Sequence, residues 1–255
     1  MNHTVKIRDV VIGEGIPKIC VPIVGRTLEQ LKEEAEFLKS VDYDVLEWRV
    51  DFFEHVENVE KVKEALLDIR QILPDIPLIF TFRSAKEGGE KDISTSYYME
   101  LNQAIAQTRE VDIIDVELFN DEEDVKTLVK AAHEHQVFVI ISNHDFEKTP
   151  AKNEIISRLQ RAQELGGDLP KIAVMPTNTA DVLTLLDATR IMNEEYADRP
   201  IITMSMAGKG VISRLAGEVF GSALTFGAAK KASAPGQVRV SELRATLKLL
   251  HKSLK

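Results

Sequence analysis

The sequence predicts an α/β protein with one domain over residues 1–255, a (β/α)8 or TIM barrel. Eight short apolar runs rich in β-branched residues recur along the chain, and charged segments of helical periodicity separate them. Uninterrupted apolar runs are typical of parallel strands that are buried on both faces. A length of 255 residues is close to the usual size of a closed barrel.

The predicted strands follow one another at regular intervals. The segments between them place apolar residues three or four positions apart, which gives a helix one apolar face, and the clearest examples are 27–40 and 122–135. This alternation is the one that a parallel barrel requires. The eight strands are predicted at Ile19–Val24, Val45–Val50, Leu78–Phe82, Ile113–Leu118, Val137–Asn143, Lys171–Met175, Ile201–Ser205 and Ser222–Phe226.

Two segments lie outside the alternation. Residues 5–12 predict a β-hairpin that covers the barrel floor, because two short apolar stretches flank a turn signal at Arg8 and Asp9. Residues 228–237 combine Ala, Lys, Ser, Pro and Gly, a composition that suits a mobile lid over an active site. An open doubly wound sheet is the alternative fold, but no Gly-x-Gly-x-x-Gly motif follows the first strand.

Composition narrows the kind of protein and its partners. The chain has 32 Lys and Arg against 41 Asp and Glu, a net charge of −9, whereas a general nucleic-acid or anionic-membrane partner needs a basic surface. Cys20 is the single cysteine, and no Cys/His cluster has the spacing of zinc ligands. No signal peptide is apparent, and no apolar run approaches the roughly 20 residues of a membrane helix. We expect a cytoplasmic enzyme or binding protein without a metal.

Lys171 is the most informative single residue, because it places an amine on an apolar strand. Strand alternation puts it on one face with Ala173 and Met175, and puts Ile172 and Val174 on the other. A buried amine with a lowered pKa can attack a carbonyl carbon and form a Schiff base. The alternative is a solvated lysine at the solvent-exposed start of its strand, just after a proline.

Ionisable side chains recur on one face of five consecutive predicted strands. Burying so many charges costs several kcal/mol per uncompensated ion, so a polar ligand or a reaction is the better explanation for them. We predict a cavity for a small, hydroxylated, anionic substrate, in which His144 moves protons and Lys171 forms a covalent bond. Burial and the nearby Arg49, Arg83 and Arg214 are expected to keep Lys171 neutral. The residues on this face are Glu47, Arg49, Asp51, Arg83, Asp115, Glu117, His144 and Lys171.

The order of short motifs along the chain resembles the type I 3-dehydroquinate dehydratases, also called type I 3-dehydroquinases. The resemblance extends over essentially the whole chain. Any one of the motifs is weak, but together at barrel spacing they are specific. They are Glu47–Asp51, Thr81–Ser84, Lys86–Gly89, Ser142–Phe146, Lys171–Pro176, Thr203–Ala207, Ser213–Arg214 and Ser233–Gln237.

The resemblance implies a homodimeric barrel that converts 3-dehydroquinate to 3-dehydroshikimate and water in the shikimate pathway, a hydro-lyase without metal or organic cofactor. It implies that Lys171 is the Schiff-base lysine, that His144 is the general acid and base, and that Glu87 orients His144. Arg214 resembles the clamp on the substrate carboxylate, together with two residues of the lid. The two lid residues are Ser233 and Gln237. The other residues that resemble parts of the substrate pocket are Glu47, Arg49, Arg83, Met204 and Met206.

Two other functions compete with this interpretation. An aldolase-like Schiff-base barrel would use the same imine to break a C–C bond, and would need a glycine-rich phosphate loop after the seventh or eighth strand. Gly208, Gly210 and Gly221 are a weak version of such a loop. A catalytically silent binding barrel would be favoured if Lys171 or His144 were absent, and both are present.

Overall fold

A parallel barrel forms most of the structure, a computed structural model that describes residues 3–229 and 236–255. A hairpin of β1 (Val5–Ile7) and β2 (Val10–Ile12) precedes it. All eight barrel strands lie where the apolar runs predict them, and the predicted fold class is confirmed. They are β3 (Lys18–Ile23), β4 (Val45–Arg49), β5 (Leu78–Thr81), β6 (Ile113–Glu117), β7 (Phe138–Asp145), β8 (Leu169–Val174), β9 (Ile202–Ser205) and β10 (Leu224–Ala228).

The strands are arranged around the barrel in their order along the chain. β10 pairs with β3, and each following strand pairs with the next as far as β9. The ring closes between β9 and β10, where Ile201 and Ser222 form a parallel bridge. There the Ala223 N–H donates to the Ile201 carbonyl at 2.9 Å, and the Ser222 hydroxyl accepts from the Thr203 N–H at 3.0 Å. A short strand, β11 (Val238–Arg239), pairs with β10 at the edge of the ring.

The start of β8 differs from the prediction, and the difference concerns Lys171. The strand begins at Leu169 rather than at Lys171, so Lys171 is its third residue and lies in register with Ser142 of β7 and Ile202 of β9. Pro170 lies within the strand, although proline lacks the N–H that a central strand normally donates. The alternative of a lysine at the wet start of its strand is therefore wrong.

Helices cover the outside of the barrel, and polar side chains fix where several of them begin. At the start of five helices, a capping side chain accepts a hydrogen bond from a backbone N–H in the first turn of the helix. These capping residues are Thr27, Asn58, Ser94, Asp121 and Asn178. The described helices are α1 (Leu28–Leu38), α2 (Val59–Ile72), α3 (Thr95–Thr108), α4 (Glu122–Glu134), α5 (Lys152–Glu164), α6 (Thr179–Ile191), α7 (Val211–Leu215), α8 (Gly217–Phe220) and α9 (Val240–Ser253). None of them is long and apolar enough to cross a membrane.

The barrel interior is apolar at its floor. Each of the eight strands contributes at least one buried side chain to a single apolar cluster, and Ile7 and Ile12 of the hairpin belong to the same cluster. The hairpin therefore closes the N-terminal end of the barrel, as predicted, and the polar inward-facing residues are left to the C-terminal end. The strand residues of the floor are Cys20, Val45, Ile79, Ile113, Ile140, Leu169, Ile202 and Leu224.

Candidate active site

A cavity of about 140 Å³ opens at the C-terminal ends of the barrel strands, where active sites of this fold lie. It is smaller than the roughly 300–1,000 Å³ of drug-sized ligand pockets, which suits a small substrate. Among the predicted site residues, Ser233 lies outside the described residues. The others all line the cavity: Glu47, Arg49, Arg83, Glu87, His144, Lys171, Met204, Met206, Arg214 and Gln237.

The Lys171 amine is buried and faces carboxylates. Only 5 % of the residue is exposed, and its Nζ donates to Oδ2 of Asp115 at 3.1 Å and lies 3.8 Å from Oε1 of Glu47. The aromatic face of Phe226 lies 4.7 Å from the same nitrogen. The ion pairs of Lys171 are thus with two carboxylates. Arg49, Arg83 and Arg214 line the same cavity, and their expected effect on the charge of the amine stays a prediction. In this environment a positive charge on the nitrogen of Lys171 is stabilised.

Asp115 is the central anion of the site. Its Oδ1 accepts from Arg83 Nη2 at 2.8 Å and from the Ser142 hydroxyl at 2.6 Å, while its Oδ2 accepts from Lys171. Burial alone would raise the pKa of Asp115, but the charges of Arg83 and Lys171 outweigh burial and hold this pKa below its usual value. Asp115 is therefore ionised and links two cations below the cavity.

Arg83 is engaged with protein groups at both terminal nitrogens. Besides Asp115, it donates from Nη1 to Glu117 Oε1 at 3.0 Å and to the Ser142 hydroxyl at 2.9 Å. Burial disfavours its charge, but the neighbouring carboxylates outweigh burial and raise the pKa of Arg83 well above its usual value. Arg83 therefore braces β5, β6 and β7, and its predicted contact with substrate hydroxyls stays a prediction.

A second pair of charged residues braces the neighbouring strand. Arg49 donates from Nε and Nη2 to the two carboxylate oxygens of Asp51 at 2.8 and 2.7 Å, a bidentate arrangement that fixes the guanidinium plane. Glu47, two residues earlier on the same face, accepts from the Thr81 hydroxyl at 3.0 Å. These contacts hold both side chains at the cavity wall before any ligand arrives.

His144, which is half-buried, forms a pair with the buried Glu87. Oε2 of Glu87 lies 2.9 Å from Nδ1 of His144 and also accepts from the backbone N–H of His144 at 3.0 Å. Burial raises the pKa of Glu87 to about 8, and burial together with Arg83 and Lys171 lowers the pKa of His144 well below its usual value. His144 is therefore neutral near pH 7, and because Glu87 engages Nδ1, Nε2 is the nitrogen left for the cavity.

A glycine places Glu87 at this position. Glu87 ends the short 3-10 turn Ala85–Glu87, and Gly88 follows it with φ +83°, a left-handed conformation that favours glycine. A Cβ on Gly88 would lie 2.4 Å from the ring of Phe146, which directly follows β7, the strand of His144. The close packing of this turn on Phe146 brings the carboxylate against His144.

Arg214 and Gln237 reach the cavity from outside the barrel strands. Arg214 lies on α7 and is 1 % exposed, with Nη1 3.6 Å from the sulfur of Met204. Burial lowers the pKa of Arg214 to about 10, so it still carries a positive charge at neutral pH. A buried cation next to a methionine wall suits an anionic ligand with an apolar ring face.

Several residues that line the cavity were not predicted to do so. Phe226 and Phe146 line it, although neither was predicted there, and strand alternation could have found both. Phe226 lies two residues after the floor residue Leu224, and Phe146 lies two residues after His144. Asp115 was predicted on the inward face, but its pairing with Lys171 was not predicted. Within the described ranges, no group of three or more His, Cys, Asp or Glu could hold a metal ion.

Comparison with known proteins assigns this arrangement to a family. The sequence model described as type I 3-dehydroquinase matches residues 19–254. The chain belongs to the type I 3-dehydroquinase family. The 3-dehydroquinate dehydratase of Bacillus licheniformis is 66% identical over 254 residues and is matched over 100% of both chains. That of Listeria welshimeri is 64% identical over 252 residues, with 99% of each chain matched.

Solved structures agree with this membership. A crystal structure of type I 3-dehydroquinate dehydratase from Clostridium difficile, with covalently modified comenic acid, has a TM-score of 0.97 and 61% identity and covers 99% of this dehydroquinase chain and 100% of its own. The 3-dehydroquinate dehydratase of Enterococcus faecalis has a TM-score of 0.91 and 42% identity, with 96% and 98% covered. A 3-hexulose-6-phosphate synthase, at 18% identity and a TM-score of 0.60, shares the fold alone.

Proposed function

We propose that this chain dehydrates 3-dehydroquinate to 3-dehydroshikimate and water, in the shikimate pathway that supplies aromatic amino acids, through a Schiff base on Lys171. The observation that carries the proposal is the buried amine of Lys171 in a cavity that His144 also lines. Family membership supports the reaction, and the geometry of the cavity is consistent with the roles that we assign. A C–C-cleaving aldolase has no support from the family match.

Imine formation uses the carboxylates around Lys171. The ammonium of Lys171 gives one proton to a neighbouring carboxylate, and the neutral amine attacks the substrate ketone. That proton and a second one from the nitrogen end on the carbinolamine oxygen, which leaves as water. An ammonium and a ketone thus become a protonated imine and one water. The same nitrogen is positively charged before and after this step. Asp115, at 3.1 Å, therefore stabilises the cationic imine as it stabilises the free ammonium, and the imine becomes a strong electron sink.

His144 then carries out both proton transfers of the elimination. Its low pKa keeps the imidazole neutral, so Nε2 accepts the C2 proton and leaves an enamine. The imidazolium next gives that proton to the C1 hydroxyl, which departs as water from the same face of the ring. Glu87 holds Nδ1 and stabilises the transient imidazolium. Hydrolysis of the imine by water finally frees the product and Lys171.

Substrate orientation depends on a charged residue of the cavity other than Lys171 and His144. We assign the substrate carboxylate to Arg214, with Gln237 and Ser233 as further donors, because a guanidinium binds a carboxylate bidentately. Met204 and Met206 provide apolar walls for the ring. Glu47, Arg49 and Arg83 are assigned to the hydroxyl side. Their hydrogen bonds to Thr81, Asp51 and Glu117, respectively, hold them in place.

Assembly and location belong to the same proposal. We assign a single domain, a homodimer and a cytoplasmic location, without nucleic-acid or membrane partners, as the resemblance and the net charge of −9 imply. Large apolar side chains such as Leu183, Phe119 and Leu249 are 67%, 64% and 64% exposed, and they offer apolar surface to a second copy. Light scattering of the purified chain measures the mass directly, and a 28.6 kDa species at micromolar concentration would exclude the dimer.

Borohydride trapping tests the covalent step. Reduction in the presence of 3-dehydroquinate is expected to fix one adduct on the peptide that contains Lys171, with loss of activity in proportion. Lys171→Met is the matched control, because its side chain has a similar length and no amine. An adduct on another lysine, or an active wild-type preparation that gives none, would overturn the assignment.

A further inference from the structure

Ala207 has a backbone conformation that few residues other than glycine adopt. Its φ of 55° and ψ of −178° lie in a region that is essentially restricted to glycine. Such a conformation persists only where the surrounding structure imposes it. Two backbone hydrogen bonds flank this position: the Met206 N–H donates to the Val174 carbonyl at 2.8 Å, and the Gly210 N–H donates to the Ala207 carbonyl at 3.2 Å.

Gly236 packs directly on the backbone of Ala207. A Cβ on Gly236 would lie 2.4 Å from the carbonyl oxygen of Ala207, 2.6 Å from its carbonyl carbon and 2.9 Å from its Cα. Gly236 itself has φ +78°. Both observations exclude a side chain at this position, because the atoms that it would meet are backbone atoms that cannot turn aside.

The contact joins two walls of the cavity. Met206, which precedes Ala207, and Gln237, which follows Gly236, both line the cavity that contains Lys171. Met206 is tied through Val174 to β8, the strand of Lys171. The backbone contact therefore sets the distance between the segment of Gln237 and the strand that carries the nucleophile.

We propose that Ala207 and Gly236 are positioning residues for substrate binding: their backbone contact holds Gln237 where it meets the substrate carboxylate. This inference rests on the role that is proposed above for Gln237. The constrained conformation of Ala207 removes freedom from the cavity wall before binding, so that less ordering is needed when the substrate arrives.

Gly236→Ala tests the contact, and Gly208→Ala is its matched control. Both add one methyl group to neighbouring loops, but a Cβ on Gly208 would have no heavy atom within 4 Å. In Gly236→Ala we expect KM for 3-dehydroquinate to rise at least tenfold while kcat changes less than threefold, and in Gly208→Ala we expect both to stay within twofold. An unchanged KM in Gly236→Ala, or an equal rise in the control, would overturn the proposal.

A double variant separates positioning from a general loss of structure. Glycine at position 207 can leave the imposed conformation freely, so Gly236→Ala combined with Ala207→Gly is expected to recover at least a third of the lost affinity. A double variant whose KM equals that of Gly236→Ala would count against the contact, whatever the melting temperatures. Gln237→Ala should reproduce the KM increase. A wild-type KM in Gln237→Ala would overturn this inference. The proposed reaction would not be affected by that result, because the borohydride adduct on Lys171 tests it separately.

Discussion

Replacement of Asp115 by Asn is the most direct test of the charge arrangement in the barrel. The substitution keeps the shape of the side chain and removes one negative charge that faces both Lys171 and Arg83. Arg83 keeps Glu117 at 3.0 Å as a partner, whereas among the described residues Lys171 keeps only the carboxylate of Glu47, at 3.8 Å. The loss therefore falls mainly on Lys171, whose charge becomes poorly compensated in a buried position.

The expected loss of stability follows from the burial of Asp115, Lys171 and Arg83. Removal of one partner from a buried ion pair costs about 3–5 kcal/mol. Because Glu117 and Glu47 still compensate part of the charge, we expect a loss near 3 kcal/mol in the free energy of unfolding. At roughly 2–4 °C per kcal/mol for a chain of this size, the melting temperature should fall by about 6–12 °C. The cationic imine also loses its counter-charge, so borohydride trapping should become slower.

The pH dependence of stability gives an independent measure of the same interaction. The pKa of Asp115 is lowered in the folded protein, so its stabilising contribution is present above the unfolded pKa of about 3.9 and is lost as pH falls through the lower folded pKa. In Asp115→Asn, the free energy of unfolding should therefore fall less on acidification than it does in the wild type. Urea unfolding between pH 3 and 7 measures both effects, and Glu117→Gln serves as a control that leaves Lys171 untouched. A variant with wild-type stability and wild-type trapping would refute this account.

Three further predictions concern His144, Glu87 and Arg214. His144→Ala should still form the imine with Lys171 but lose at least about 100-fold in kcat for each proton transfer, and full turnover in a coupled absorbance assay for 3-dehydroshikimate would remove His144 from the mechanism. In the wild type, Glu87 ionises as pH rises through about 8 and makes His144 a stronger base, so kcat/KM should still rise towards that pH. Glu87→Gln should abolish this limb, and a profile that keeps it would assign the ionisation elsewhere. Arg214→Lys keeps the charge but not the bidentate geometry, so KM should rise about tenfold or more; unchanged KM and kcat would exclude the carboxylate clamp.

The sequence predicts the strands and their inward faces because both follow from local patterns. Apolar runs mark the strands, and alternation assigns Glu47, Asp115 and Lys171 to the interior. Neither pattern contains the register between strands. Lys171 on β8 and Asp115 on β6 are separated by the whole of β7, and only the stagger of the closed sheet brings their side chains to 3.1 Å.

The polar network also illustrates a limit of reasoning from residue type. Arginines at the carboxyl ends of strands suggest binding sites for anions, but Arg83 and Arg49 are each held by carboxylates of the protein. Which cation meets the substrate depends on which carboxylates lie nearby in space. That choice depends on tertiary packing, which the composition of a single strand does not determine.

The apolar floor of the barrel has a consequence for how the enzyme can change. One residue from each strand and two from the hairpin form that floor, whereas the charged groups occupy the opposite end of the same strands. Substitutions at upper positions outside the ion pairs of Arg83 and Asp115 can therefore be explored for new substrates without disturbing this apolar floor. Directed evolution of this chain should accordingly tolerate far more variation above Lys171 than at Val45, Ile113 or Leu169.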